Sequence, residues 1–207
     1  ASPSAASAPD LERLKGPALE ALQASPKTRP WWLHALAFAA VTSLLAGAGV
    51  AAMSRSTAQH ASVTLQNLSA AAWAVVMVAG CFLAVMPGAR SLRAALLAGV
   101  GLCFALTLFA ASGVPAGKGL GCAITEWAIA LVPLAVGLMV LTGFAFDVTR
   151  ALAAGLAATS AGMLAVHLHC PDGSLQHQAV FHLLPLALLA AAAVAVRRRL
   201  HSRTHAP

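Results

Sequence analysis

Leu168 to Pro185 reads LHCPDGSLQHQAVFHLLP, a short polar break between two very apolar runs that holds one cysteine and three histidines. Thiolate sulfur and imidazole nitrogen are the donors that soft or borderline metals such as zinc, cadmium or copper prefer. His167 stands just before the break, and Cys122 lies upstream with Glu126 four residues on, one helical turn along the same face. The groups that could converge are therefore Cys122, Glu126, His167, His169, Cys170, His177 and His182. Cys122 and Cys170 could equally form a reversible disulfide if their Cα atoms come within about 7 Å in an oxidising compartment. The residue types admit both, and HxHC followed by two further histidines is not a recognised ligand spacing. No cofactor is called for beyond a zinc or other soft metal ion that this set could hold. Near the centre of a span an acidic side chain costs about 2.5 to 3.5 kcal/mol, so Glu126, nearer an end, is expected to face the bundle and approach a histidine. Cys81 and Cys103 fall in the middle of apolar runs and read as packing residues.

Elements that would position these groups follow from composition. Of 207 residues 59% are hydrophobic and 9% charged, with a mean hydropathy of +0.80, against about 25% charged in an ordinary soluble domain. The chain reads as an all-α integral membrane bundle. Crossing the hydrocarbon takes about 20 apolar residues, and six runs qualify: approximately Trp32 to Met53, Leu68 to Met86, Leu92 to Ser112, Cys122 to Phe144, Val148 to His167 and Val180 to Val196. The breaks MPGARS, SGVPAGKGLG and HCPDGS carry turn chemistry. Pro133 and Pro185 are expected to kink the fourth and sixth spans. In the fifth, Ala151, Gly155 and Thr159 share a face beside Ala154, Ala158 and Gly162, a small-residue pattern that lets helix backbones approach closely in lipid. The net charge of +7 sits at the ends of apolar runs rather than on a basic face interleaved with aromatics, which speaks against direct nucleic-acid binding. A charged n-region followed by a short apolar core is missing from ASPSAASAPDLERLKG, so the first apolar run is expected to stay in the protein.

Lysines and arginines set the expected orientation. With both termini cytoplasmic, Arg13, Lys15, Lys27, Arg29, Arg90, Arg93, Arg150, Arg197, Arg198, Arg199 and Arg203 lie inside, against Arg55 and Lys118 outside. The opening stretch then becomes the last external loop, with His182 in the first turn of the sixth span. Three regions follow: a cytoplasmic segment 1–30, a six-helix sensor 31–197 and a basic tail 198–207. The first begins with small residues and continues as DLERLKGPALEALQASPKTRP, where Asp10 is a candidate N-cap and Pro17 suits the start of a second short helix. Leu11, Leu14, Leu19 and Leu22 supply apolar anchors, and Asp10, Glu12 and Glu20 charges that complement a basic protein partner. Helices this short are marginal alone in water, so folding on the partner is expected.

Gly121–Cys122, the small-residue fifth span, LHCP at Leu168 to Pro171, His177 and FHLLP at Phe181 to Pro185 resemble the NrsF-type (negative regulator of sigma-F) family of polytopic membrane anti-sigma factors. The resemblance covers the C-terminal half well and the N-terminal half mainly by layout. It implies a cytoplasmic N-terminal segment that holds an extracytoplasmic-function (ECF) sigma factor, six spans of a bacterial inner membrane, and two periplasmic-side cysteines, here Cys122 and Cys170, required for the response to stress such as heavy metals. Asp172 replaces the commoner glutamate after Cys-Pro, Phe181 the usual tryptophan, and RRRL the usual glycine-containing exit from the last span.

The function that follows is regulatory, not enzymatic. A thiol oxidoreductase passing electrons to a quinone would want a CxxC pair, and the sequence has none. A metal-binding or metal-transporting membrane protein is the alternative, but the first three spans offer almost nothing ionisable for a ligand path across the bilayer. The leading expectation is an anti-sigma factor that binds its partner through segment 1–30 and releases it when Cys122 and Cys170 meet metal or oxidant.

Overall fold

The computed structural model describes residues 30–53, 62–111 and 119–200, together with Gly16. The chain divides into two units, Ala1–Pro30 and Trp31–Pro207. The residues expected to hold a partner, Asp10, Leu11, Glu12, Leu14, Leu19, Glu20 and Leu22, lie outside the described residues.

The second unit is all-α among the described residues, with α1 Trp31–Ala52, α2 Val63–Val85, α3 Arg90–Phe109, α4 Leu120–Leu141, α5 Val148–His169 and α6 Leu175–Arg199. All six are long and apolar enough to cross a membrane, which makes the chain a multi-pass membrane bundle. Two boundaries differ from the hydropathy reading by five residues, and the rest by three or fewer. Helix α2 begins at Val63 behind Ser62, whose hydroxyl accepts the Leu65 N–H. Helix α6 begins at Leu175 rather than Val180, because Gln176, His177 and Gln178 look polar in sequence, yet the last two are buried in protein. His177 is thus helical rather than part of a loop, and the α5–α6 connection shrinks to Cys170 to Ser174. Gly88, in the MPGARS turn, takes the left-handed φ of +69° that glycine tolerates best.

Helix α5 is the hub, with 83% of its apolar window buried against at most half in any other helix. Its side chains explain this. Ala151, Ala154, Gly155, Ala158, Thr159 and Gly162 are all buried, and the neighbouring backbones close in on them. A Cβ on Gly155 would lie 2.9 Å from Ala190 Cα of α6, and one on Gly80 of α2 would lie 2.9 Å from the Ala153 carbonyl. Without a hydrophobic drive between helices in lipid, such close van der Waals contact is what holds them together. Cys81 packs with Phe38, Ala84 and Val85, and Cys103 with Trp73, Val76 and Val100. Between α2 and α3 the Thr107 hydroxyl accepts the Trp73 indole N–H at 2.9 Å and meets the Ser69 hydroxyl at the same distance.

Arginines among the described residues gather at one end of the bundle, and two of them do more than mark topology. Arg93, 3% exposed, donates to the Leu83 and Met86 carbonyls, to Thr149 Oγ1 at 2.8 Å and to Asp147 Oδ2 at 3.3 Å. Arg197, 2% exposed, donates to the carbonyls of Leu141 at 2.9 Å, Phe144 at 2.7 Å and Leu200 at 2.9 Å. Each guanidinium satisfies carbonyls that a helix end leaves without intrahelical partners. Asp147 also caps α5 through the Thr149 and Arg150 N–H groups. Burial opposes its ionisation, but those hydrogen bonds and the charge of Arg93 outweigh it and hold the carboxyl below the usual range.

Candidate functional site

At the opposite end, three pieces of backbone bring sulfur and nitrogen together. Cys122 sits in the first turn of α4, half-buried, its N–H bonded to the Gly119 carbonyl. Cys170 terminates α5: its backbone turns extended at ψ 124° while its N–H still bonds the Val166 carbonyl at 2.8 Å. Pro171 cannot continue a helix. Asp172 then closes an Asx turn by accepting the Ser174 N–H at 2.9 Å, and Ser174 caps α6 by accepting the His177 N–H.

Helix α6 opens irregularly. Residues Leu175–Gln178 make one α-turn, Ala179–Leu183 a π-helical turn, and Leu184–Arg199 resume the α-helix. The Leu184 N–H reaches back five residues to the Ala179 carbonyl. Pro185 follows directly and has no N–H of its own to donate, so the disturbance expected at this proline takes the form of a π-turn rather than a simple kink. An i to i+5 turn stacks His182 over His177, which an α-turn would rotate apart, and the two ring centroids lie 5.1 Å apart. Phe181 packs on Gly119, where a Cβ would overlap its ring, and this holds the start of α6 against the start of α4.

The Cys122 and Cys170 sulfurs are 3.5 Å apart, and Cys170 Sγ is 3.1 Å from His177 Nε2. On the far side of that ring, Nδ1 meets Asp172 Oδ2 at 3.2 Å. Donor atoms of Cys122, Cys170, His177 and His182 all lie within 4.8 Å of one another. His182 is fully buried, and among the described residues the group its ring engages is Cys122, at a geometry looser than a regular hydrogen bond. The hydrogen bond with Cys122, reinforced by burial, pushes the Cys170 thiol above the ordinary cysteine range. A proton is thereby kept on the sulfur pair.

The other candidates stand apart from this group. His169 lies outside the donor group, its Nδ1 2.7 Å from the Ala165 carbonyl, although the residue lines the cavity beside the sulfurs. His167 is fully buried on α5, and its carbonyl accepts the Gln66 side chain at 3.2 Å. Glu126 is fully buried and faces the bundle, but neither carboxyl oxygen accepts a hydrogen bond among the described residues. Its backbone lies against α5 so closely that a Cβ on Gly162 would overlap the Glu126 carbonyl. A cavity of about 110 Å³ lined by Met53, Gly121, Cys122, Thr125, Val166, His169, Cys170 and Pro171 opens onto both sulfurs. Asp172 was not among the candidates read from the sequence, although a carboxylate two residues after Cys170 and five before His177 is a signal of its kind. Gln178, which donates to the Asp172 carbonyl at 3.0 Å, gave no signal.

Chemically the site can do two things. Its sulfurs could close from 3.5 Å to the roughly 2.05 Å of a disulfide. Alternatively, its four donors could surround one cation.

No protein-family model matches the chain, and no solved structure matches it. Among curated proteins it is similar to the carotenogenesis protein CarR of Myxococcus xanthus, 34% identical over 93 residues, which is 45% of this chain. Those residues are 42% of CarR, so the chain spans less than half the length of that relative.

Proposed function

We propose that this protein is an anti-sigma factor of the NrsF type, seated in a bacterial inner membrane with both termini in the cytoplasm. Residues 1–30 hold an ECF sigma factor, and metal or oxidant acting on Cys122 and Cys170 on the periplasmic side releases it. The observation that carries this reading is the approach of the two sulfurs to 3.5 Å at one end of the bundle, with Arg90, Arg93, Arg150 and Arg197 to Arg199 at the other, where the chain enters α1 at Trp31. Arginines favour the cytoplasmic side of a membrane, so the thiols face outward and the N-terminal segment inward. Metal-donor side chains gathered at one end, among the described residues, suit a sensor better than a conduit. CarR carries the name of a biosynthetic programme rather than of a transported ion, which also suits a regulator.

The test is capture of partners from bacterial membranes by the full-length protein, with recovered proteins identified by mass spectrometry. A sigma factor is expected with the wild type and is lost when Leu11 and Leu14 are both changed to Asp. Recovery of no sigma factor by the wild type overturns the reading and leaves a metal-handling membrane protein as the alternative.

A further inference from the structure

We infer that Cys122, Cys170, His177 and His182 form one closed, four-coordinate site for a divalent thiophilic ion of the zinc class, and that Asp172 positions His177 for it. In a tetrahedral Cys2His2 site, metal–sulfur bonds near 2.3 Å and metal–nitrogen bonds near 2.0 to 2.1 Å put neighbouring sulfurs about 3.8 Å apart and sulfur and nitrogen about 3.6 Å apart. The observed 3.5 Å between sulfurs and 3.1 Å from Cys170 to His177 need only tenths of an ångström of expansion. Distances alone do not separate a metal site from a thiol pair. The histidines and Asp172 do.

A disulfide uses the two sulfurs and nothing else. It gives no role to His182, which is buried completely and, among the described residues, has only a loose approach to the Cys122 thiol in place of a regular hydrogen bond; such a group is costly unless something else engages it. A Cys170–His177–Asp172 relay that activated one thiol would use one histidine and leave His182 with only its approach to Cys122. A metal ion employs all of them. The Asp172 carboxylate against Nδ1 puts the ring proton there and leaves the Nε2 lone pair aimed at the cluster, the carboxylate–histidine arrangement that commonly backs a metal ligand. That carboxylate is itself fixed by the Ser174 N–H. The π-turn supplies the remaining ligand by stacking His182 over His177.

Charge favours the same conclusion. Two thiolates side by side in a buried site would repel, whereas a divalent ion with two thiolates and two neutral imidazoles is neutral as a unit. On binding, whatever protons the two sulfurs hold pass to solvent as the metal–sulfur bonds form, and nothing is oxidised or reduced. Four protein donors leave no open position for a substrate, which marks the ion as a clamp joining α4, the end of α5 and the start of α6. The ion's effect on sigma release rests on the proposed function; its binding rests on the geometry alone.

Cobalt(II) titration of the reduced full-length protein in detergent tests this, read by the intense visible bands of tetrahedral cobalt and by thiolate-to-cobalt charge transfer, with zinc content of the purified protein measured by mass spectrometry. One ion per chain is expected, with tetrahedral bands that zinc then abolishes. His182→Gln and Cys170→Ser should lose the tetrahedral signal, Cys81→Ser should keep it, and Asp172→Asn should keep the spectrum while weakening affinity about 10- to 100-fold. Circular dichroism checks that each variant remains helical. Absence of tetrahedral cobalt in the wild type, or its persistence at full affinity in His182→Gln, overturns the site. Metal bound without sigma capture keeps the site and rejects the anti-sigma reading; sigma capture without metal does the reverse.

Discussion

Glu126 shows how little of a side chain's environment follows from its identity. A carboxylate buried in an apolar bundle ordinarily finds a partner or neutralises, yet both oxygens of Glu126 go without a hydrogen bond among the described residues. Helix α5 comes closest to the Glu126 backbone at Gly162, a residue with no side chain to offer the carboxyl. Replacing it with methionine, of similar length and without polar atoms, removes an unsatisfied group whose burial costs about 1 to 3 kcal/mol. Thermal unfolding in detergent should therefore shift upward in Glu126→Met. A downward shift would show that the carboxyl has a partner, bound water or ion included, that outweighs its burial. The histidines teach a related point. His167 and His169 are two residues apart on α5, about 200° around a helix, so they cannot both face Cys122. His177 and His182 are five apart, a spacing that an α-helix would also splay and that only the π-turn reconciles.

Helix α5 converts small residues into position. Its contact with α4 at Gly162 and Glu126 lies two turns below Cys170 and one turn below Cys122, so the separation of these helices sets the separation of the sulfurs. Gly162→Val forces the α4 backbone away and is expected to destabilise the bundle by about 1 to 3 kcal/mol. It should also slow oxidative crosslinking of Cys122 to Cys170, measured by the rate of disulfide formation in membranes. Gly47→Ala, where an added Cβ meets nothing within 4 Å, serves as the neutral control. An unchanged crosslinking rate in Gly162→Val would mean that the connection between α5 and α6 positions Cys170 independently of α5 packing. Much of this layer was readable beforehand. Six apolar runs and the small-residue face of α5 follow from hydropathy and periodicity, which report burial averaged over a turn. The start of α6 did not, because averaging treats His177 and Gln178 as polar whether they face water or protein. The π-turn has no periodic signature either; Pro185 marks a disturbance without naming its form.

Signal transmission of the proposed kind requires that an event at the sulfurs be felt at the arginine end, and α4 and α6 touch each other at both ends. Near the cysteines these helices meet through Cys122 with His177 and His182, and the Trp127 indole N–H donates to the Pro185 carbonyl at 3.2 Å. At the other end Arg197 of α6 grips the carbonyls of Leu141 and Phe144, where α4 finishes. Between them α6 rests on the small residues of α5, Gly155 against Ala190 and Ala193, a surface with few interlocking side chains. If the site signals as proposed, a change of geometry around Cys122 and Cys170 would be delivered along α6 as a body and received at Arg197. Coupling of this kind needs the two bundle arrangements to differ by a few kcal/mol in their response to the modified site. Arg197→Met leaves those carbonyls without their charged donor and should cost about 1.5 to 3 kcal/mol of stability. Arg197→Lys, which keeps the charge and can donate to at least one of them, should cost less. If the anti-sigma reading holds, sigma capture by reduced and by oxidised protein should differ several-fold in the wild type and by much less in Arg197→Met, with Arg197→Lys between them. An Arg197→Met protein that is destabilised but shows the full difference would place the transmission elsewhere, through α5 and its link to α2, and would reduce Arg197 to a helix cap.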